Sequence, residues 1–375
     1  MCISLSKREI DPFLAELYKR KAKVYSISKC NVINNCLYEA YNSYILKTKG
    51  ENNVYGILGS KIHNKLEDIV NGKSRENELK DALDEEIQDL DIFNYKFPKI
   101  KNDSELIKNN WIDNMSHFAK NFVCPKGNFE TEKFFLYNLP CEKDEDRWVQ
   151  GYIDLIRYNK DGTVSVIDWK TSADFKKKDL IHHGRQLVLY QIALEYLGFK
   201  VREVGWYMLK YCSISYQGKT KKITKVTERR NIVKTLKNQI EKDMSDNGYD
   251  DIDIEIYISK ALQENNLNEL PDDIAAKYVV SPYVRKYEVT EELKKECLNY
   301  INSSIDKFDE LIKSETKDIP HIDFYYVNKS GKKTENVFYC SSLCGYRNTC
   351  KYIKEYNEQK ELEKLKEEDK FEGLF

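Results

Sequence analysis

Glycine and proline are scarce in this sequence, with 15 and 7 of them among 375 residues. There is no Gly- or Pro-rich stretch and no internal repeat, so neither a flexible linker nor a repeat architecture is indicated. No apolar run approaches the roughly 20 residues that cross a bilayer. The first residues, MCISLSKREIDPFLAELYKRK, lack the apolar stretch of a signal peptide. We therefore expect a cytoplasmic protein, in the host cytoplasm if it is viral, with no membrane partner.

The sequence also has no marked excess of either charge, since it contains 61 Lys and Arg residues and 62 Asp and Glu residues. Any attraction for nucleic acid must then come from local basic patches. The sequence has no G-x-x-x-x-G-K-[ST] loop, so strand unwinding would have to come from a partner. Ten cysteines are present, and in a chain of this length without export signals they favour reduced thiols or metal ligands over disulfides.

Apolar spacing and β-branched content predict a compact α/β core that follows a helical region. Helices are predicted at 10–22, 28–47, 57–70 and 105–123, with Ser28 and Ser60 as starts. Strands are predicted at 129–138, 147–158, 163–170 and about 203–212, with a turn at 159–162 and a helix at about 182–197. We divide the chain into a helical N-terminal region (1–125), the α/β core (126–212), an insertion (213–289), a segment that closes onto the core (290–352) and a charged tail (353–375). The insertion has a possible hairpin at 217–219, and the closing segment begins with a helix that Thr290 should cap.

The core carries a group of two carboxylates and one amine. In VIDWKT, Asp168 and Lys170 lie two apart on a predicted strand, so both side chains project from one face. Asp154, in GYIDLI, would stand beside them if the two strands pair. An acidic pair is costly without a compensating cation, and Mg²⁺ or Mn²⁺ is the natural candidate. Such an ion with a nearby lysine suits phosphodiester hydrolysis, and the alternative is a surface salt bridge on a hairpin.

The order of the motifs resembles that of RecB-like nucleases of the PD-(D/E)XK type, including the exonucleases of CRISPR adaptation and the AddB type. The matching segments, in chain order, are GSKIHNKLE with Gly59 and His63, GYIDLI, VIDWKT, and RQLVLY with Gln186 and Tyr190. The resemblance implies a restriction-endonuclease-like mixed sheet flanked by helices, with a helical N-terminal wrap.

For the site, the resemblance implies that His63, Asp154, Asp168 and the Trp169 carbonyl bind Mg²⁺ or Mn²⁺. Lys170 would be catalytic, and Gln186 and Tyr190 would organise the site or contact DNA. A structural histidine and ordinary packing of Gln186 and Tyr190 are the alternatives. Glu132, on the strand before, is either a supporting carboxylate or a plain surface one.

A group of cysteines near the C-terminus also resembles a feature of RecB-like nucleases. Cys340, Cys344 and Cys350, with Cys36 far upstream, are similar to the four thiolates by which many RecB-like nucleases hold a [4Fe-4S] cluster that staples the two ends of the chain. The spacing in this sequence departs from that of the family, because three residues rather than two separate Cys340 from Cys344. Cys30 could replace Cys36, and zinc or free thiols are further alternatives.

Basic and apolar segments suggest partners. A run formed by Lys176, Lys177, Lys178 and Arg185, with His182 and His183 between them, could contact DNA phosphates next to the cut site. A second basic patch comprises Lys221, Lys222, Lys225, Arg229 and Arg230, and Tyr207 and Tyr211 either stack on bases or pack. The terminal FEGLF, with Phe371, Leu374 and Phe375, resembles peptides that bind sliding clamps, and a frayed tail is the alternative.

Together these motifs imply a metal-dependent deoxyribonuclease. The resemblance favours an exonuclease on single strands or DNA ends, acting in recombination, repair, phage DNA metabolism or CRISPR adaptation beside a helicase or recombination partner. A catalytically inactive DNA-binding scaffold and an RNA nuclease are the alternatives.

Overall fold

A computed structural model describes residues 1–99, 104–143, 145–314 and 318–372 of the protein. The chain forms two compact units. The terminal unit comprises Met1–Ile57, Phe135–Gly151 and the described part of Lys294–Phe375, and the central unit comprises Leu58–Phe134 and Tyr152–Leu293. This division differs from the linear one of the sequence analysis, because two strands and two helices each pass from one unit into the other.

The strands of the central unit form a mixed, mostly antiparallel sheet. They are β5 (Thr163–Lys170), β6 (Lys200–Gln217), β7 (Lys222–Glu228), β8 (Val279–Tyr287) and the unit's parts of β3 (Asn128–Asn138) and β4 (Arg147–Tyr158). β4 runs antiparallel to β5, and β6 runs antiparallel to β7 and β8. β5 and β6 are parallel, which requires a crossover, and a helix supplies it.

That crossover helix, α7 (Leu180–Tyr196), is buried along most of its length by residues such as Leu187, Val188 and Leu194. The unit's other helices are α4 (Val54–Val70), which begins in the terminal unit, α5 (Glu78–Ile92), α6 (Ser104–Lys120), α8 (Ile232–Asp246), α9 (Asp251–Glu264) and α10 (Asp272–Ala275). Ile232, Leu236 and Ile240 of α8 pack with Ile214 of β6 in an apolar cluster of the predicted insertion.

The terminal unit is built mainly of helices. Its elements are β1 (Cys2–Ile3), α1 (Lys7–Lys19), β2 (Lys23–Ser26), α2 (Ile27–Asn35), α3 (Leu37–Ala40), the larger part of α11 (Glu291–Lys313), β9 (Tyr325–Val327), β10 (Lys333–Glu335) and α12 (Lys351–Glu372). Here β1 pairs antiparallel with the end of β3, and β2 pairs parallel with the start of β4.

The strand and turn predictions of the core are confirmed. The strands at 147–158 and 163–170 have the predicted bounds, and Gly162 takes the positive φ of 79° that the turn between them requires. Thr290 accepts a hydrogen bond from the Leu293 amide, as a cap should. The mixed α/β class is therefore correct.

Three predictions for the helical region were wrong. Ser26, not Ser28, caps α2, and the single helix expected at 28–47 is interrupted at Cys36, whose backbone is extended. Ser60 lies inside α4 rather than at its start. Helical periodicity alone does not show such a break, because the apolar positions on both sides of it keep the same spacing.

Candidate active site

Asp154 and Asp168 meet on the central sheet. They lie on β4 and β5, whose register pairs Leu155 with Ile167, and the two carboxyls are within hydrogen-bond reach of each other. Asp154 is 8% exposed and Asp168 is fully buried. Burial, followed by the Asp168 charge, raises the pKa of Asp154 well above its ordinary value. The two side chains therefore share one face of the sheet, as the sequence predicted.

The Asp168 carboxylate is held mainly by charge rather than by well-formed hydrogen bonds. Lys170 Nζ lies 2.6 Å from its Oδ2 in an ion pair. Even so, neither carboxylate oxygen has a hydrogen bond of acceptable geometry among the described residues. A buried carboxylate with unsatisfied oxygens is unfavourable by several kcal/mol, about the desolvation cost of an ion. Because oxygens of this kind are the ligands that Mg²⁺ and Mn²⁺ prefer, the residues present fit such an ion.

His63, on α4, reaches the carboxylate pair from the helical side. Its Nδ1 lies 3.5 Å from Asp154 Oδ2, its ring meets Trp169 edge to face at 5.8 Å between centroids, and it is within hydrogen-bond reach of the Trp169 main chain. Burial lowers the pKa of His63, so its imidazole is neutral near pH 7. A neutral imidazole can ligate a metal. The structure places His63 next to Asp154 and the Trp169 main chain, and Asp154 next to Asp168, but the ligand atoms of His63, Asp154 and Asp168 do not all lie within 4.8 Å of one another.

Lys170 connects the carboxylates to α7. Its amine donates to Gln186 Oε1 at 3.2 Å, and Gln186 Nε2 donates to the Tyr190 hydroxyl at 2.6 Å. Burial acts to lower the pKa of Lys170, but the Asp168 and Asp154 charges outweigh burial and raise it. Lys170 is therefore a fixed cation. The buried Tyr190 keeps its proton, since burial and then the two carboxylates raise its pKa.

Glu132 belongs to the same site, although the sequence left its role open. Its charge contributes to the raised pKa values of Asp154 and Tyr190, which places it near both. Its φ of +50° is left-handed, in the middle of β3. A non-glycine residue in this region is strained, and such strain is concentrated at functional sites. The period-two pattern of a strand assumes regular backbone and could not show this turn of the side chain.

The comparison with known proteins decides the family. The model for the PD-(D/E)XK nuclease superfamily matches residues 24–351. The chain belongs to this superfamily. No curated protein gives a significant match. Membership assigns the chain to the nucleases, hydrolases whose expected substrate here is DNA, and the matched range includes every predicted site residue from Cys36 to Cys350.

The basic run of this nuclease lies directly before α7. Lys176, Lys177 and Lys178 are exposed, the last two in a short 3-10 turn, and Arg185 is half-buried on α7. Burial lowers the pKa of His183 to about 4, so that ring is neutral at pH 7. The lysines therefore carry the exposed charge of this run.

The prediction of a second basic patch was wrong in part. Arg229 is buried, donates from Nε to the Leu209 carbonyl at 2.8 Å and lies over the Phe118 ring. Arg230 is paired with Glu228 at 2.7 Å. Tyr207 packs edge to face on Phe118, so it does not offer a free face for a base. Sequence alone did not show that Arg229 points inward.

Four cysteines of the nuclease line one enclosed cavity in the terminal unit, and they are Cys36, Cys340, Cys344 and Cys350. Cys30 does not line it and instead hydrogen-bonds Ser304. Burial raises the pKa of both Cys340 and Cys344 to about 12. Among the described residues, no three of these sulfurs lie within 4.8 Å of one another.

A further acidic group lies in the terminal unit. Glu145, Asp306 and Asp309 place three carboxylate oxygens within 4.8 Å of one another, which no other group of three potential ligands achieves in the described parts of the chain. Arg147 bonds to Glu145 and Asp306 at 2.5 Å each, and Lys23 bonds to Glu145 at 2.8 Å and to Asp309. These cations neutralise the carboxylates, so the group is an ion-pair network.

Two remaining predictions concern contact with a membrane and the C-terminal FEGLF segment. No helix in the parts of the chain that the structure describes is long and apolar enough to cross a membrane. The terminal FEGLF, as a binding segment for a sliding clamp, lies outside the residues whose side chains are described.

Proposed function

We propose that the protein is a RecB-like, Mg²⁺- or Mn²⁺-dependent deoxyribonuclease that degrades single strands or DNA ends as an exonuclease. One observation carries the metal-dependent chemistry: in the described part of the chain the buried Asp168 carboxylate has no hydrogen bond of acceptable geometry, and it lies beside Asp154 and the amine of Lys170. The exonuclease activity and the choice of ends are supported by the order of the sequence motifs.

The side chains divide the work between metal binding and charge stabilisation. Asp154, Asp168, His63 and the Trp169 carbonyl would hold the ion. A bound ion of this kind supplies an acidified water and neutralises charge on the phosphate. Lys170, kept protonated by the carboxylates, orients the attacking water and balances the charge that develops on phosphorus oxygens. Gln186 holds the amine in place through its Oε1.

The substrate strand would pass over the basic run. Lys176, Lys177 and Lys178 are exposed cations a few residues beyond Lys170, where they can contact phosphates next to the cut site. Arg185 would add a further contact from α7. The pathway, whether recombination, repair, phage DNA metabolism or CRISPR adaptation, and a helicase or sliding-clamp partner belong to the same proposal.

The cysteine cavity would hold a [4Fe-4S] cluster on Cys36, Cys340, Cys344 and Cys350. The shared cavity supports this assignment. The cluster would staple residue 36 to residues 340–350 and thereby fix the terminal unit.

The test compares Asp168→Asn with Asp251→Asn, a matched change at an exposed position of α9. Each is assayed with Mg²⁺ and Mn²⁺ on end-labelled single-stranded DNA, duplex DNA, circular DNA and RNA. We expect metal-dependent degradation of linear single strands by the native chain and by Asp251→Asn, and none by Asp168→Asn. Absence of cleavage by the native chain would favour the inactive scaffold, and preferred cleavage of RNA would favour the RNA nuclease.

A further inference from the structure

One face of β8 contacts the segment between β5 and the first turns of α7. Tyr283, Arg285 and Tyr287 alternate along the strand, and each touches that segment. The Tyr283 hydroxyl donates to Asp174 Oδ2 at 3.4 Å, and Tyr287 packs so closely on Gly184 that a Cβ there would lie 2.3 Å from its ring. The opposite row of β8, which is Pro282, Val284 and Lys286, is exposed.

Arg285 makes the strongest contacts of this row. Its Nη1 donates to Asp174 Oδ1 at 2.6 Å and to the Phe175 carbonyl at 2.5 Å. The side chains of Arg285 and Asp174 are 22% and 29% exposed, so water screens this pair less than a surface pair. A guanidinium that holds a carboxylate and a main-chain carbonyl together fixes backbone as well as charge.

Asp174 is held from other directions too. Its amide donates to the Tyr211 hydroxyl at 3.3 Å, and its Oδ1 accepts from the Phe175 amide at 2.9 Å. We call this set of bonds to Asp174 and Phe175 the Asp174 anchor. Because side chains from both β6 and β8 contribute, the anchor ties the segment to the sheet.

The anchor stands between the catalytic amine and the basic run. Lys170 lies four residues before Asp174, and Lys176 lies two residues after it. The Phe175 ring continues the anchor by stacking on His183 of α7, with 3.9 Å between ring centroids and 16° between planes. The start of the lysine run is therefore fixed on one side by β8 and on the other by α7.

We propose that Arg285 is a positioning residue for the substrate strand. By holding Asp174 and Phe175, it keeps Lys176, Lys177 and Lys178 in place on the segment that follows β5, the strand of Asp168 and Lys170. Lysines on a fixed segment lose less conformational entropy when they bind phosphates than lysines on a loose one, so the anchor strengthens strand binding. This inference rests on the proposed nuclease function.

The binding test uses Arg285→Ala, Arg285→Lys and the control Lys286→Ala. Lys286 belongs to the exposed row of the same strand and pairs with Glu203 at 2.5 Å. Fluorescence anisotropy with a labelled single strand in Ca²⁺ measures affinity without cleavage. We expect Arg285→Ala to weaken binding about tenfold and to flatten its salt dependence. Arg285→Lys should recover part of the affinity, and Lys286→Ala should change it less than about twofold.

Kinetics and proteolysis complete the test. In the cleavage assay, Arg285→Ala should raise KM about tenfold and change kcat less than about threefold, because Arg285 does not touch the metal site. Limited trypsin digestion should cut faster after Lys176, Lys177 or Lys178 in Arg285→Ala than in Lys286→Ala. Unchanged affinity and unchanged digestion in Arg285→Ala would overturn the inference, as would an equal loss in both variants. A native chain that binds but does not cut would overturn the proposed function alone, because the anisotropy and digestion arms do not need cleavage.

Discussion

The carboxylate site of the central unit and the cysteine cavity of the terminal unit both collect distant residues, but they do so on different backbones. Asp154, Asp168 and Lys170 lie on regular paired strands, where the register alone decides which side chains meet. Cys36 lies in an extended break between two helices, and Cys340 lies in a short π-helix. A site on regular strands is readable from spacing, whereas a site on irregular segments has to be assembled by the fold.

The largest effect should come from Lys170, and it tests whether the carboxylate site is as prearranged as its strands suggest. Lys170→Met removes the cation that partly neutralises Asp154 and Asp168. We expect kcat to fall by about 10²- to 10³-fold, because charge on the phosphate is no longer balanced. Mn²⁺ affinity should rise at the same time, because the ion no longer competes with the amine.

Single-turnover cleavage and Mn²⁺ titration measure these two quantities for Lys170. Lys286→Met is the control, because it removes an exposed lysine outside both the carboxylate pair and the basic run. Weaker Mn²⁺ binding in Lys170→Met would show that the amine supports the ion rather than competing with it.

The next largest effect should be on iron binding in the cysteine cavity, and it distinguishes Cys36 from Cys30 as the ligand. Cys36→Ser removes a sulfur that lines the cavity, and Cys30→Ser changes a buried thiol outside it. After anaerobic purification we expect about four iron atoms per chain in the native protein and in Cys30→Ser, and a large loss in Cys36→Ser. Iron and sulfide analysis with the visible absorption spectrum decides the outcome. Zinc in place of iron, or equal loss in both variants, would contradict the cluster.

A smaller effect should appear in the stability of the metal-free protein. Asp168→Asn removes a buried charge that makes no hydrogen bond of acceptable geometry to the described residues and that repels Asp154. We expect the free energy of unfolding in EDTA to rise by about 1–2 kcal/mol, although activity is lost. Urea denaturation with and without Mn²⁺ measures the change. Asp251→Asn, which removes a first-turn carboxylate of α9, should lower the free energy of unfolding by less than about 0.5 kcal/mol. Destabilisation of Asp168→Asn in EDTA would mean that the ion pair with Lys170 outweighs the repulsion.

The smallest effect should be a pH dependence. Because the folded state raises the pKa of Asp154, the folded state binds more protons there than the unfolded state does. Stability from this group is complete below the unfolded pKa of about 4 and is lost as the pH rises through the higher folded pKa. The difference in unfolding free energy between the native chain and Asp154→Asn, measured in EDTA, should therefore change in favour of the variant as the pH rises. A constant difference from pH 4 to pH 8 would contradict this.

The same contrast between regular strands and irregular segments explains which features could be predicted from the sequence. Period-two spacing located Asp168 and Lys170 on one face, and the β4–β5 turn supplied Asp154. The inward turn of Arg229 and the break at Cys36 were missed, since neither changes the local apolar pattern. The contribution of Arg285 could not be anticipated at all, because Asp174 lies 111 residues away from it.

The left-handed backbone at Glu132 has a consequence for how this protein tolerates change. A glycine there would relax a conformation that costs other residues about 1 kcal/mol or more, but it would delete a carboxylate next to Asp154. The residue that would best suit the backbone at position 132 is therefore not the one that supplies a carboxylate near Asp154. The strand accepts local backbone strain at the position that carries this third acidic side chain.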